Sequence, residues 1–242
     1  MEGRQVEADA LTRKRRLQYL IIAGFAAIAV IVALIVISQS GGDDDGGGGS
    51  PSNVLGAAQV DAELSSVPQQ GQVLGDANAP VTVVEFGDPQ CPACAAFAEQ
   101  IAPELIASEV KGGSVKYEFQ PYLIIGPDSE PAMTAALAAG EQGRFWNFLQ
   151  LVYLNQGAEN SGYVTDAYLT SIAEAAGVPD IEAWDQSRNS SQWNLVLSSG
   201  ASQAESNGFQ GTPSILVQGP NGQQALEGFG LEEIRSAIQQ VS

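Results

Sequence analysis

The sequence predicts an α/β domain carrying a helical insertion, and three observations point to it. A β-branched and aromatic run, Val81-Thr82-Val83-Val84-Glu85-Phe86, leads through Gly87-Asp88-Pro89 into the only two cysteines, Cys91 and Cys94. A helical signal then fills Ser129 to Asn207. Strand signals return after it, ahead of a last amphipathic helix. At 242 residues and 44% apolar content, the chain can bury one sizeable core and still carry appendages.

The N-terminal segment reads differently from the rest. Leu17 to Ile37 is 21 residues without a charge; at about 1.5 Å per residue it spans roughly 30 Å, one hydrocarbon core. A cleaved signal peptide is the alternative, but its apolar region is usually about 7 to 15 residues and ends in a small-residue site that Ser38-Gln39-Ser40 matches poorly. The sequence therefore predicts a cytoplasmic segment 1–16, a transmembrane helix 17–37 and a flexible linker 38–71 before the folded domain 72–242. Arg13-Lys14-Arg15-Arg16 precedes the span and the next basic residue is Lys111, so the positive-inside rule places the bulk of the chain outside the cytoplasm, where disulfides persist. The linker is Gly-, Ser- and Asp-rich, and about 30 residues of such coil reach roughly 30 Å. Asp43-Asp44-Asp45 within it reads as a solvated run, since flanking glycines fix no calcium geometry.

Within the domain, Val81 to Phe86 suits a strand buried on both faces, and the Gly-Asp-Pro that follows is turn chemistry. A helix starts at the cysteines: Pro92 fits its first turn, and Cys94, Phe97, Ile101 and Leu105 recur at helical spacing, with a kink expected at Pro103. Ser114 to Gln120 alternates Val115, Tyr117 and Phe119 against Lys116 and Glu118, as a strand with one wet face does. Gly126-Pro127-Asp128 ends it. The insertion, about 127–207, should hold four or five helices, one of them behind a Thr165 cap. Ser214 to Gln218 and Gln223 to Leu226 form a hairpin around Pro220-Asn221-Gly222, and Leu231, Ile234, Ile238 and Val241 share one helical face.

Composition removes several functions. Beyond residue 37 the chain has five basic against 25 acidic residues and should repel phosphate backbones and anionic head groups. With no histidine there is no Ser-His or Cys-His nucleophile pair. A structural zinc site lacks its four ligands, and a disulfide closing so short a loop is a weak staple. An inert buried pair remains possible, but polar Gln90 and Pro92 beside the cysteines favour a mouth. Redox chemistry needs only this spacing: a thiolate attacks, a mixed disulfide forms, and a nearby thiol resolves it. A helix N-terminus at Cys91 would lower its thiol pKa.

Three motifs in order carry a resemblance: Val84-Glu85-Phe86-Gly87-Asp88-Pro89-Gln90-Cys91-Pro92-Ala93-Cys94; Gly143-Arg144-Phe145-Trp146 with Asn155-Gln156; and Gly211-Thr212-Pro213-Ser214 before a strand. Over residues 72–242 the chain resembles the DsbA/BdbD-like thiol-disulfide oxidoreductases, which implies a thioredoxin fold with a helical insertion. The resemblance makes Cys91 the attacking thiolate, Cys94 the resolving thiol and Pro213 a cis-proline facing them, with Thr212 touching the sulfurs. Glu85 matches the family's buried acid, a proton acceptor for Cys94 with a raised pKa, though a solvent-facing glutamate is the plainer alternative. Pro92 and Ala93 tune the pair. DsbA itself has histidine where this chain has Ala93, so this protein should be the weaker oxidant. The implied function is an extracytoplasmic, membrane-anchored enzyme that introduces disulfides into secreted polypeptides. It would need no cofactor or metal and would be reoxidised by a quinone-linked membrane partner of the DsbB or vitamin-K-epoxide-reductase kind. A reductase or isomerase on the same scaffold, or a non-catalytic tethered peptide-binding module, are the alternatives.

Overall fold

The computed structural model describes residues 54–226 and 228–242. The expected cytoplasmic segment, transmembrane helix and first part of the linker lie outside them. Among the described residues no helix is long and apolar enough to cross a membrane.

The described chain begins earlier than the sequence reading placed the domain. Residues Ala57–Leu64 form helix α1, inside the stretch expected to be linker, and Gln69–Gln70 (β1) and Val73–Leu74 (β2) form an antiparallel hairpin. The one buried i,i+4 pair of α1, Val60 and Leu64, lies in the core with Val67. Asn155 fastens the entry to α1, accepting from the Leu55 N–H at 2.8 Å and donating to the Leu55 carbonyl at 3.1 Å. A helix of eight residues with one short apolar stripe leaves little periodicity to detect in a Gly- and Ser-rich context.

Strand β3 is Val81–Gly87, and every residue of it except Thr82 is buried. Helix α2 (Pro92–Gln100) follows, then the short helix α3 (Ala102–Leu105) and a π-turn over Ile106–Val110. The break between α2 and α3 falls at Ile101, two residues before Pro103, because proline is accommodated at the start of a new helix rather than inside the old one. Strand β4 (Val115–Pro121) shows strict alternation of buried and partly exposed residues, as its sequence alternates.

Five helices make up the insertion among the described residues: α4 (Ser129–Glu141), α5 (Phe145–Leu154), α6 (Asp166–Ala175), α7 (Ile181–Arg188) and α8 (Asn194–Ser206). Thr165 caps α6, its side chain accepting from the Tyr168 N–H. Trp193 lies in a 3-10 turn just before α8. Trp184 is fully buried and its indole N–H donates to the Ala135 carbonyl at 2.8 Å, tying α7 to α4. The chain closes with β5 (Ser214–Gly219), β6 (Gly222–Leu226) and α9 (Leu231–Val241).

The six strands form one mixed sheet in the order β1-β2-β4-β3-β5-β6. Strand β3 lies parallel to β4 and antiparallel to β5, with Phe86 opposite Ser214. That register sets the site: β3 delivers its C-terminal end, and the cysteines after it, to the point where β5 begins. One large cluster joins α2, α4, α5 and one sheet face, while Val84, Phe86, Ala204, Phe209 and Leu216 form a smaller one on the other. Gly200 lets α8 approach β4 closely there, since a Cβ would strike the Pro121 carbonyl.

Candidate active site

Cys91 is the N-cap of α2, with extended backbone (φ −72°, ψ 119°), and its N–H donates to the Asp88 carbonyl at 3.0 Å. Pro92 occupies the first turn, where a missing N–H costs nothing. Both cysteines are free, and they lie 3.6 Å apart. Cys91 is 5% exposed and Cys94 is fully enclosed, so an incoming sulfur meets Cys91 first.

The peptide between Thr212 and Pro213 is cis, and it faces the pair from the start of β5. The Cys91 thiol donates to the Thr212 carbonyl at 3.2 Å. The Thr212 hydroxyl is buried and has no partner beside the thiol; once Cys91 ionises, it becomes a donor to the sulfur. A cleft of about 590 Å³ runs along Asn207 to Ser214, Ala225 and Leu226, and none of these described lining residues is charged.

The two thiols are driven apart in acidity. The hydrogen bond from Cys94 brings the Cys91 thiol down to about 6, the Thr212 hydroxyl and the backbone N–H groups of Cys94 and Ala93 add to it, and burial opposes. Burial pushes the Cys94 thiol well above the ordinary thiol range, with the charges of Cys91 and Glu85 acting the same way. The sequence reading credited the helix N-terminus with activating Cys91. In the structure the Cys94 thiol acts on Cys91 as well, followed by the Thr212 hydroxyl, and the N–H groups of Cys94 and Ala93 are the local part of that helix N-terminus.

Glu85 is 2% exposed, so the solvent-facing alternative does not hold. Burial raises its carboxyl to about 8, and the Tyr117 phenol, which donates to Oε2, opposes the rise. Oε1 has no hydrogen-bond partner and lies beside Gly87, 3.1 Å from where a Cβ there would stand. Tyr117 is in turn stacked on Trp146, with ring centroids 4.4 Å apart. This phenol was legible only as a core residue of an alternating strand. Its role depends on the parallel register, which sets Tyr117 opposite Val83, two residues from Glu85 on the same face.

Several polar residues of the site escaped the sequence reading. Asp88 is fully buried and its carboxylate accepts from the N–H groups of Gln90, Ile124 and Ile125 at 2.8 to 2.9 Å. Gln90, which the sequence placed at a mouth, is equally enclosed, because its side chain finds its partners inside, on Ser129 and Asn160. A run of turn-forming residues was visible in the sequence, but which groups would satisfy it was not.

A dithiol at a helix N-terminus, facing a cis-proline across a mixed sheet, defines a thiol-disulfide oxidoreductase of thioredoxin fold. The chain belongs to the thioredoxin family, whose model matches residues 68–240. It is similar to "Probable disulfide bond formation protein D" of Bacillus cereus, 33% identical over 151 residues that cover 61% of this chain and 70% of that one. "Disulfide bond formation protein D" of Bacillus subtilis is 29% identical over 150 residues, 60% of this chain and 66% of that protein. The crystal structure of oxidised BdbD from Bacillus subtilis superposes with a TM-score of 0.63 at 26% identity, covering 72% of this chain and 97% of that chain. The protein is a DsbA-like thiol-disulfide oxidoreductase.

Proposed function

We propose that the enzyme works as a disulfide donor to secreted polypeptides, with Cys91 as the exchanging sulfur and Cys94 as its buried partner. In the oxidised form a substrate thiolate attacks the Cys91 sulfur; the Cys91–Cys94 bond breaks, its electron pair leaves on Cys94, and a mixed disulfide forms. Protonated Glu85 supplies the proton that Cys94 takes up. A second substrate thiolate then attacks the substrate's own sulfur and releases Cys91 as a thiolate, so the substrate is oxidised by two electrons and the enzyme reduced by two. Run in reverse, the carboxylate of Glu85 accepts the proton from Cys94.

One observation carries this reading: the exposed-side thiol is lowered to about 6 while its neighbour is raised, which makes Cys91 the better leaving group and the more stable anion of the pair. Stabilising the reduced form in this way raises the potential and favours donation. Thr212 and Pro213 would line the substrate backbone along the cleft, and Pro92 and Ala93 would set the poise. The relatives named for disulfide bond formation support the direction. The reading includes a single-pass anchor at 17–37 with the domain outside the cytoplasm, and reoxidation by a quinone-linked membrane protein.

The test is direct. The full-length protein, oxidised, is incubated with a reduced, unfolded disulfide protein, and its potential is read against glutathione. Stoichiometric transfer of disulfides, abolished in Cys91→Ser, together with a potential between about −270 and −120 mV, is expected. Transfer only in the reducing direction would make it a reductase, and substrate binding that survives Cys91→Ser without exchange would make it a binding module.

A further inference from the structure

The insertion touches the dithiol's approach at three successive residues, and each contact is a side-chain hydrogen bond. The Tyr153 hydroxyl donates to the Asp88 carbonyl at 3.4 Å. The Gln156 amide donates to the Pro89 carbonyl at 2.9 Å. The Gln90 side chain donates to Ser129 Oγ at 3.0 Å and to Asn160 Oδ1 at 3.1 Å, and accepts from the Asn160 backbone N–H at 2.8 Å. Asn160 reaches this position with φ of 53°, a left-handed backbone that asparagine tolerates, and its own amide donates to the Ile125 carbonyl. The partners come from the start of α4, the end of α5 and the loop beyond it. Nothing in the exchange chemistry itself uses them.

We propose that this set is a clamp by which the helical insertion positions the nucleophile, with Gln156 and Asn160 as positioning residues acting through the loop Asp88-Pro89-Gln90. The proposal rests on Cys91 being the exchanging thiol. The physical reason lies in the two peptides before the helix. The Asp88 and Pro89 carbonyls are held by donors from the insertion, which fixes the direction of those peptides and so the N-cap geometry of Cys91. A released peptide can turn its carbonyl toward the sulfur, where the negative end of the dipole opposes a thiolate. It also loosens the bond from the Cys91 N–H to the Asp88 carbonyl, which anchors the start of α2. The Gln156 in the second motif therefore acts on the cysteines of the first motif, 65 positions earlier in the sequence.

The experiment uses the reduced full-length chain and two variants. Gln156→Met keeps the length of the side chain and removes the donor; Asn160→Gly keeps the left-handed backbone and removes the amide. Iodoacetamide labelling is followed from pH 5 to 9, with the labelled cysteine located by mass and the potential measured against glutathione. The expected result is label on Cys91 in all three proteins, with the midpoint of each variant moved toward 9 and the rate at pH 6 lowered by roughly three- to tenfold, the effect of one lost hydrogen bond. Folded variants with the labelling profile and potential of the parent would overturn the clamp while leaving Cys91's role intact. Label on Cys94 would instead overturn the role of Cys91, and the clamp with it. If Gln156→Met does not fold, Asn160→Gly decides; if neither folds, the contacts hold up the domain rather than the nucleophile and the proposal fails.

Discussion

A carboxyl raised from 4.5 to about 8 leaves the folded chain holding a proton that the unfolded chain has released. Through Glu85 the reduced protein therefore loses stability as pH rises from 4.5 to about 8, at up to about 1.4 kcal/mol per pH unit. Cys91, lowered from 9.0 to about 6, works the other way: the folded chain has given up a proton that the unfolded chain keeps, and stability grows between about 6 and 9. From pH 6 to 8 the two slopes oppose each other. In urea unfolding of the reduced chain, Glu85→Gln should gain stability relative to the parent across that window and Cys91→Ser should lose it. Three parallel curves would show that neither group is shifted by folding. A second prediction follows from the order of causes at Cys91. Because the Cys94 thiol is the first donor to it, Cys94→Ala should move the labelling midpoint of Cys91 upward from about 6. An unmoved midpoint would assign the activation to the Thr212 hydroxyl and the helix N-terminus. At this scale the cysteines were legible from their spacing at a helix start, while Pro213 and the buried acid Glu85 were legible only through the family resemblance. Tyr117, Asp88 and Gln156 were not, since a phenol, an aspartate in a turn and a glutamine at a helix end have ordinary roles until their partners are known.

The first turn of α2 leaves Ala93 partly exposed between the sulfurs. A histidine at this position would add a donor to the Cys91 thiolate, and Ala93→His is expected to raise the potential by roughly 30 to 65 mV, read by glutathione titration. No change, or a fall, would remove thiolate stabilisation as what sets the poise. The last residue of β3 is constrained from the other side. A Cβ at Gly87 would come within 2.6 and 2.8 Å of the Phe119 ring and 3.1 Å of Glu85 Oε1, so Gly87→Ala should cost about 1 to 3 kcal/mol in chemical denaturation, with the ring displaced onto the acid. A stability equal to the parent's would mean the ring yields freely. Most elements could be read from their residue patterns: β3 from its β-branched and aromatic run, β4 from its alternation, α9 from one apolar face. Helix α1 and the β1–β2 hairpin could not, because two-residue strands and a single buried i,i+4 pair leave almost no pattern.

Across the whole molecule, the sheet order was the part that no local signal carries. Strand β3 sits between β4, reached through α2, and β5, reached only after the entire insertion. Periodicity can identify strands and still say nothing of their neighbours, so the cis-proline facing the thiols was available from family resemblance and not from the residues between them. This topology also bears on timing. The contact from Cys91 to Thr212 closes across 121 positions, whereas a nine-residue helix alone is marginal in water. A chain emerging from its N-terminus thus carries Cys91 long before it carries the groups that complete its surroundings. Until β5 arrives, Cys91 lacks the carbonyl and hydroxyl of Thr212 that stand against its sulfur. The last strands to be made therefore complete surroundings that the helix of the cysteines only begins.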